Sequence, residues 1–144
     1  MSRGRLLAVL PVLALVLTAC GQSTTSHYCS ALQAQQSIFA DDGTGLQLIT
    51  NLAELRVLAA GAPDDVRAEW QTFLGALQSL HDTIAAAHLR PQDFVNGKAP
   101  TGTSASVGAS IAAAANELSA PDVVDAANGI EQEAKDVCLF QIGL

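Results

Sequence analysis

Residues 63–84 read PDDVRAEWQTFLGALQSLHDTI, and this segment decides the fold. Its large apolar residues recur at intervals of three and four, which places them on one face of an α-helix. They are Val66, Trp70, Phe73, Leu74, Leu77, Leu80 and Ile84, with His81 beside them. Pro63 suits a first helical turn, and Asp64 and Asp65 favour the positive end of the helix dipole. We therefore predict an amphipathic helix over about residues 63–88.

Four further segments show the same spacing on either side of this helix. They cover about residues 26–40, 45–60, 104–119 and 123–137. Ser26 is a suitable N-cap for the first, and Pro121 divides the last two. Because no alternating strand pattern persists, the chain is predicted to form an all-α bundle of four to five helices.

The first twenty residues have the layout of an export signal. Two arginines, an apolar run and then small residues lead up to Cys20. A transmembrane helix is disfavoured, because the run is shorter than the roughly 20 residues that a bilayer needs and Pro11 interrupts it. The residues Leu17-Thr18-Ala19-Cys20 resemble the lipobox of bacterial lipoproteins. The alternative is a cleaved signal without lipidation, but it would not explain why this match ends in a cysteine. The resemblance implies cleavage before Cys20 and a palmitate-type diacylglycerol on its thiol.

This resemblance implies three parts: a signal peptide over 1–19, the lipidated cysteine with a flexible tether over 20–26, and a helical domain over 27–144. The tether is expected to be flexible because its residues are small, polar and without apolar periodicity. The protein is then expected on the extracytoplasmic face of the cell membrane, held there by its lipid anchor.

Charge restricts the possible partners. The whole chain carries a net charge of −7, and without Arg3 and Arg5 five basic residues remain against 14 acidic ones, a net charge of −9. So acidic a domain repels nucleic acid and the surface of an anionic membrane. We expect no nucleic-acid partner, and contact with the membrane only through the lipid.

Two cysteines, Cys29 and Cys138, lie near the ends of the predicted bundle. In an oxidising compartment a disulfide between them is favoured over two separate buried thiols. With no Cys-x-x-Cys motif, such a bridge is structural rather than catalytic. Such a bridge would place the start of the first helix beside the end of the last. This favours four passes of the chain through the bundle, in which the segments before and after Pro121 form one kinked pass. The alternative is a short helix that crosses the bundle.

The sequence contains only weak indications of catalytic or metal-binding residues. His81 and His88 lie seven residues apart, about 10.5 Å along a helix axis, whereas helical metal ligands are three or four apart. Residues 41–45 read DDGTG, a turn that lacks the twelve-residue calcium pattern. The acidic residues within 131–136 are predicted to be a solvated helix face. Nucleophile and phosphate-loop motifs are absent, so we predict no catalytic residue, metal or cofactor.

The connection over residues 89–102 is longer than most helix–helix loops and is punctuated by prolines and glycines. It is either a mobile connection or a partner-binding loop. The second interpretation depends on Phe94 and Val95, which could form an exposed apolar anchor.

The segment LRVLAAGAPDDV, residues 55–66, resembles a segment of small exported actinobacterial proteins of unknown function that often carry a cysteine at each end. The resemblance covers residues 27–138 in layout, and its local features are a helix, an Ala-Pro turn and an acidic helix start. It implies a helical domain clasped by a disulfide and assigns no catalytic residues.

These patterns favour a non-enzymatic, membrane-anchored interaction or accessory module of the cell envelope, with an envelope protein as a possible partner. The alternative is a small-ligand-binding lipoprotein with an apolar cavity between the helices. That cavity would lie around Trp70, Phe73 and Leu77.

Overall fold

The computed structural model describes residues 20–40 and 45–144. Within these ranges it contains six helices, α1 (Cys20–Ala34), α2 (Leu46–Thr50), α3 (Leu52–Ala60), α4 (Arg67–Ala86), α5 (Ala105–Glu117) and α6 (Pro121–Asp136). Two short 3₁₀ helices, Gln36–Phe39 and Pro91–Asp93, lie in the connections. The predicted all-α fold is confirmed for the described residues. The predicted signal peptide over 1–19 and most of the turn over 41–45 lie outside them.

Helix α4 is the centre of the fold, as its sequence pattern predicts. It packs against α2, α3, α5 and α6. Its buried residues are Trp70, Phe73, Ala76, Leu77, Leu80 and Ile84. Trp70 and Phe73 meet edge to face with ring centroids 6.4 Å apart, a geometry in which the pair contributes about 0.5–1.5 kcal/mol beyond the burial of its surface.

Helix α4 begins at Arg67 rather than at Pro63. Residues 63–66 form a separate tight turn, in which the Val66 N–H donates to the Pro63 carbonyl at 3.3 Å. Asp64 pairs with Arg67 across the start of the helix, with 2.7 Å between Oδ1 and Nη2. The acidic residues therefore lie in front of the first helical turn instead of inside it.

The helix predicted over 45–60 is two helices, α2 and α3, which meet at Asn51. The backbone N–H and the side-chain amide of Asn51 both donate to the Gln47 carbonyl, at 2.9 and 2.8 Å. Asparagine side chains often compete with the regular helical pattern in this way. At φ −103° and ψ 28° the backbone of Asn51 leaves the helical region, which breaks the helix.

Helix α1 begins at Cys20, so the segment 20–26, predicted as a flexible tether, is helical. Ser26 consequently lies inside the helix instead of capping it, and its carbonyl accepts a hydrogen bond from Ser30 Oγ at 2.8 Å. Once the buried turn around Tyr28 is helical, adding further residues costs little, because propagation is far easier than nucleation.

The predicted disulfide is confirmed: Cys29 is bonded to Cys138, with 5.0 Å between their Cα atoms. Cys29 lies within α1 rather than at its start, and Cys138 lies two residues beyond α6. The bridge therefore joins two elements that are 109 residues apart in the chain.

Helices α5 and α6 pass along α4 one after the other, both antiparallel to it. Three pairs of neighbouring residues mark the direction: Ala86 and Val107 line one pocket, Ser79 Oγ donates to Glu117 at 3.0 Å, and Glu69 lies against Gly129. As residue numbers fall along α4 they rise along α5 and α6. These two helices thus form one traverse divided at Pro121, the arrangement favoured from the sequence.

Candidate functional site

The segment from Arg90 to Lys98, here called the 90–98 loop, is built on a charged pair at its base. The Arg90 N–H and Nη2 donate to the two carboxylate oxygens of Asp93, each at 2.9 Å. The hydrogen bonds from the Arg90 guanidinium and backbone lower the pKa of Asp93, and the same carboxylate raises the pKa of Arg90. The pair closes the 3₁₀ helix Pro91–Asp93 and gives the loop a defined start.

The tip of the loop is a two-residue turn. Val95 and Lys98 exchange two backbone hydrogen bonds, at 3.1 and 3.0 Å. Between them Asn96 and Gly97 have φ values of 52° and 72°. Positive φ at both central residues is the type I′ conformation, for which Asn-Gly is the preferred sequence. This stretch of the long connection is therefore ordered by its own backbone hydrogen bonds.

The two apolar residues of the loop have different environments. Phe94 is partly buried and packs against the core, and the 3₁₀ helix before it contacts α2. Val95 is 70% exposed. The expected exposure is therefore found for Val95 alone, because Phe94 packs against the bundle.

A pocket of about 360 Å³ lies between α2 and the 90–98 loop. Gln47 and Asn51 line it from the α2 side, and Gln92, Phe94 and Asn96 line it from the loop. Of the described residues that line this pocket, none carries a charge. The pocket is thus a neutral, amide-rich concavity with one aromatic ring.

A hydrogen bond between two aromatic side chains lies in the core. Trp70 Nε1 donates to Tyr28 Oη at 2.8 Å, and both side chains are buried. Burial raises the pKa of Tyr28 to about 12; the hydrogen bond from Trp70 opposes this rise, while the charges of Glu133 and Asp65 add to it. Since Tyr28 precedes Cys29, the bond and the disulfide hold the same turn of α1.

The histidines do not come together. His81 Nδ1 lies 3.1 Å from Asp82 Oδ1 at the surface, and His88 lies beyond the end of α4 with φ 57°. Hydrogen bonds from Gln78 and then His81 lower the pKa of Asp82. Within residues 20–40 and 45–144 no group of three or more potential metal ligands is assembled.

The acidic face of α6 is less solvated than the sequence predicts. Glu131 and Glu133 are half-buried, and only Asp136 is exposed. Glu131 Oε1 accepts the Leu144 N–H at 2.7 Å, which shows that the C-terminal residues fold back over this face. Partial burial, together with the charge of Asp65, raises the pKa of Glu133.

The residues proposed to surround an apolar cavity are packed in the core. Trp70, Phe73 and Leu77 have exposed fractions of 0%, 4% and 1%. The pockets between α2 and the loop, beside α6 and between α4 and α5 are lined by other residues. The structure thus gives no specific support to a ligand beside Trp70.

Cys20, the predicted lipidation site, is the first residue of α1, and its side chain is outside the described part of the structure. A helix anchored at Cys20 would lead directly to Cys29 and the disulfide. No helix within the described ranges has both the length and the apolar character required to cross a bilayer.

Comparison with known proteins returned no match among protein-family models, curated proteins or solved structures. The functional interpretation therefore depends on the site itself.

Sequence reasoning missed the amides that line the pocket. Gln47 and Asn51 belong to a segment predicted as one helix, where their spacing of four indicates only a shared helix face. The Asn96-Gly97 pair was a usable signal, because this dipeptide is a strong indicator of a tight turn within the 89–102 connection.

Proposed function

We propose that this protein is a non-enzymatic binding module of a bacterial cell envelope, lipid-anchored through Cys20 on the extracytoplasmic side. Its contact surface is the 90–98 loop. The anchor is supported by the lipobox resemblance of residues 17–20, and the environment by the Cys29–Cys138 disulfide, since such bonds persist in oxidising compartments.

The observation that carries the contact surface is the position of Val95. Its side chain is 70% exposed, yet its backbone is held by two hydrogen bonds to Lys98 and its neighbour Phe94 is packed on the bundle. A rigid apolar residue loses little conformational entropy on binding, which favours affinity for a partner. An envelope protein with an apolar recess is the partner that this surface fits.

The anchor is tested by Cys20→Ser in cells fed a labelled fatty acid. The unchanged chain should incorporate label and sediment with membranes, whereas the variant should lose the label and appear in the soluble or secreted fraction. A variant that stays labelled and membrane-bound would exclude Cys20 as the lipid acceptor.

The contact surface is tested by a photo-crosslinking amino acid introduced at Val95 and, in a second protein, at Val57. Val57 is a matched control because it is 73% exposed but lies on α3. A protein adduct in intact cells should form from position 95 and not from position 57, and Val95→Ser should weaken this complex with little change in stability. Equal adducts from both positions would show that the loop has no special role.

A further inference from the structure

The pocket between α2 and the 90–98 loop has an unusual set of functional groups. Four of the residues that line it carry a side-chain carboxamide, Gln47 and Asn51 on the α2 side and Gln92 and Asn96 in the loop. Phe94, an aromatic residue, also lines it. Small-ligand pockets typically combine an apolar surface with a few convergent polar groups, and this one has both.

The amides have unused hydrogen-bonding capacity. Asn51 uses its side-chain N–H to hold the Gln47 carbonyl, which leaves its own side-chain oxygen as an acceptor. Within the described part of the chain, the side chains of Gln47, Gln92 and Asn96 make no hydrogen bond. Each can therefore offer both a donor and an acceptor to a ligand.

The lack of charge restricts the ligand. The chain as a whole has 14 acidic and seven basic residues, but none of the described lining residues is ionisable. Of the three charged residues of the loop, Arg90 and Asp93 pair with each other, and Lys98 does not line the pocket. An ionic ligand would lose hydration without gaining a counter-charge, so a neutral ligand is favoured.

We propose that this pocket binds a neutral saccharide. A hydroxyl group is both donor and acceptor, as a carboxamide is, so the amides can each pair with hydroxyls of one sugar ring. The C–H face of that ring can pack on the face of Phe94, whose π-electrons carry partial negative charge. The volume of about 360 Å³ lies at the small end of the range for ligand pockets, which fits roughly one or two sugar units.

A peptide fits these observations less well. An extended peptide is usually bound along a sheet edge or in a long groove. The only extended pairing in the described residues is the isolated Val95–Lys98 bridge, and the four amide residues line a single pocket. The inference rests on the proposed function only for placing the protein where envelope glycans occur; the pocket does not depend on Val95.

The test uses the purified oxidised protein with glucose, galactose, mannose, N-acetylglucosamine and their disaccharides as probes. Saturation-transfer NMR detects binding, and shifts of the side-chain amide signals of Gln92 and Asn96 locate it. At least one neutral sugar should bind, and glucuronic acid should bind no better than glucose. The saccharide proposal is wrong if no sugar receives saturation from the protein. It is also wrong if a neutral tripeptide shifts the side-chain amide signals of the pocket while the sugars do not.

Gln92→Leu removes one exposed amide at nearly constant size and should weaken sugar binding about tenfold, the loss expected for one or two hydrogen bonds. Gln71→Leu, on the exposed surface of α4, is the matched control and should bind as the unchanged protein does. Unchanged binding by the Gln92 variant would overturn the assignment of the site. Val95→Ser should leave sugar binding intact, so failure of the partner surface and failure of the sugar pocket can be told apart.

Discussion

The disulfide offers the sharpest test of how this fold is stabilised. Replacing both Cys29 and Cys138 by serine removes a link between residues 109 positions apart. In the chain-entropy model, freeing a loop of this length lowers the free energy of unfolding by about 4.8 kcal/mol at 25 °C. Domains of this size have about 5–15 kcal/mol in total, so the variant should keep only part of its stability.

The measurement is urea unfolding followed by far-UV circular dichroism and by the fluorescence of Trp70. Cys20 is replaced by serine in both proteins, so that its thiol cannot exchange with the bridge. A loss of about 4.8 kcal/mol corresponds to a fall in Tm of roughly 15–25 °C. As a control, the cystine-containing protein in a reducing agent should unfold as the double variant does.

The two probes separate global from local effects. Helix α1 packs mainly against α3, and its Tyr28 covers Trp70. If loss of the bridge releases α1 alone, Trp70 fluorescence should change at low urea while most helical signal remains. If the free energy of unfolding by both probes is within about 0.5 kcal/mol of that of the disulfide-bonded protein, the disulfide is not a major source of stability.

Three further substitutions and one change of pH test the core and the helices. Tyr28→Phe leaves the Trp70 N–H unpaired in the core, so the free energy of unfolding should fall by about 1–3 kcal/mol in urea titration. Burial raises the pKa of Tyr28 to about 12, so the protein should lose stability as the pH rises from 10 to 12, on the order of 3 kcal/mol in all, and keep it in full below pH 10. The phenylalanine variant should lack this part of the pH-dependent loss. Gly75→Ala, with nothing within 4 Å of the added Cβ, should stabilise α4 by about 0.5–1 kcal/mol in thermal denaturation. Gly129→Ala should gain less, because its Cβ would lie 3.0 Å from Glu69 Cγ and that side chain must move; an equal gain would show that Glu69 moves without cost.

The sequence predicts the helices well where an apolar face is long and regular. In α4, five of the six apolar positions predicted between Trp70 and Ile84 are buried. Leu74 is only partly buried, and Ala76 is buried although the predicted face did not include it. Helix ends are predicted less well, since they depend on local competition for hydrogen bonds. The break at Asn51 arises from a side-chain donor that a count of apolar positions does not detect.

The candidate sites show a similar division. The disulfide could be predicted because the chain has only two cysteines besides Cys20, and the structure confirms the pair. The exposure of Val95 and the partial burial of Phe94 could not be separated from sequence, because both residues are apolar and adjacent. Their difference follows from the packing of the loop against α2.

By itself, the sequence determined the helical class, the central place of α4 and the cysteine pairing. The spacing of apolar residues and the number of cysteines can be seen in the order of residues, without knowledge of how the helices pack. Only the tertiary structure decided the antiparallel course of α5 and α6 along α4, the bond from Trp70 to Tyr28, and the meeting of Gln47 and Asn51 with the 90–98 loop. These contacts join residues that are distant in the chain, 42 positions apart for Trp70 and Tyr28 and 38 for Ser79 and Glu117. Their formation depends on how whole helix faces pack, which no short window of sequence contains.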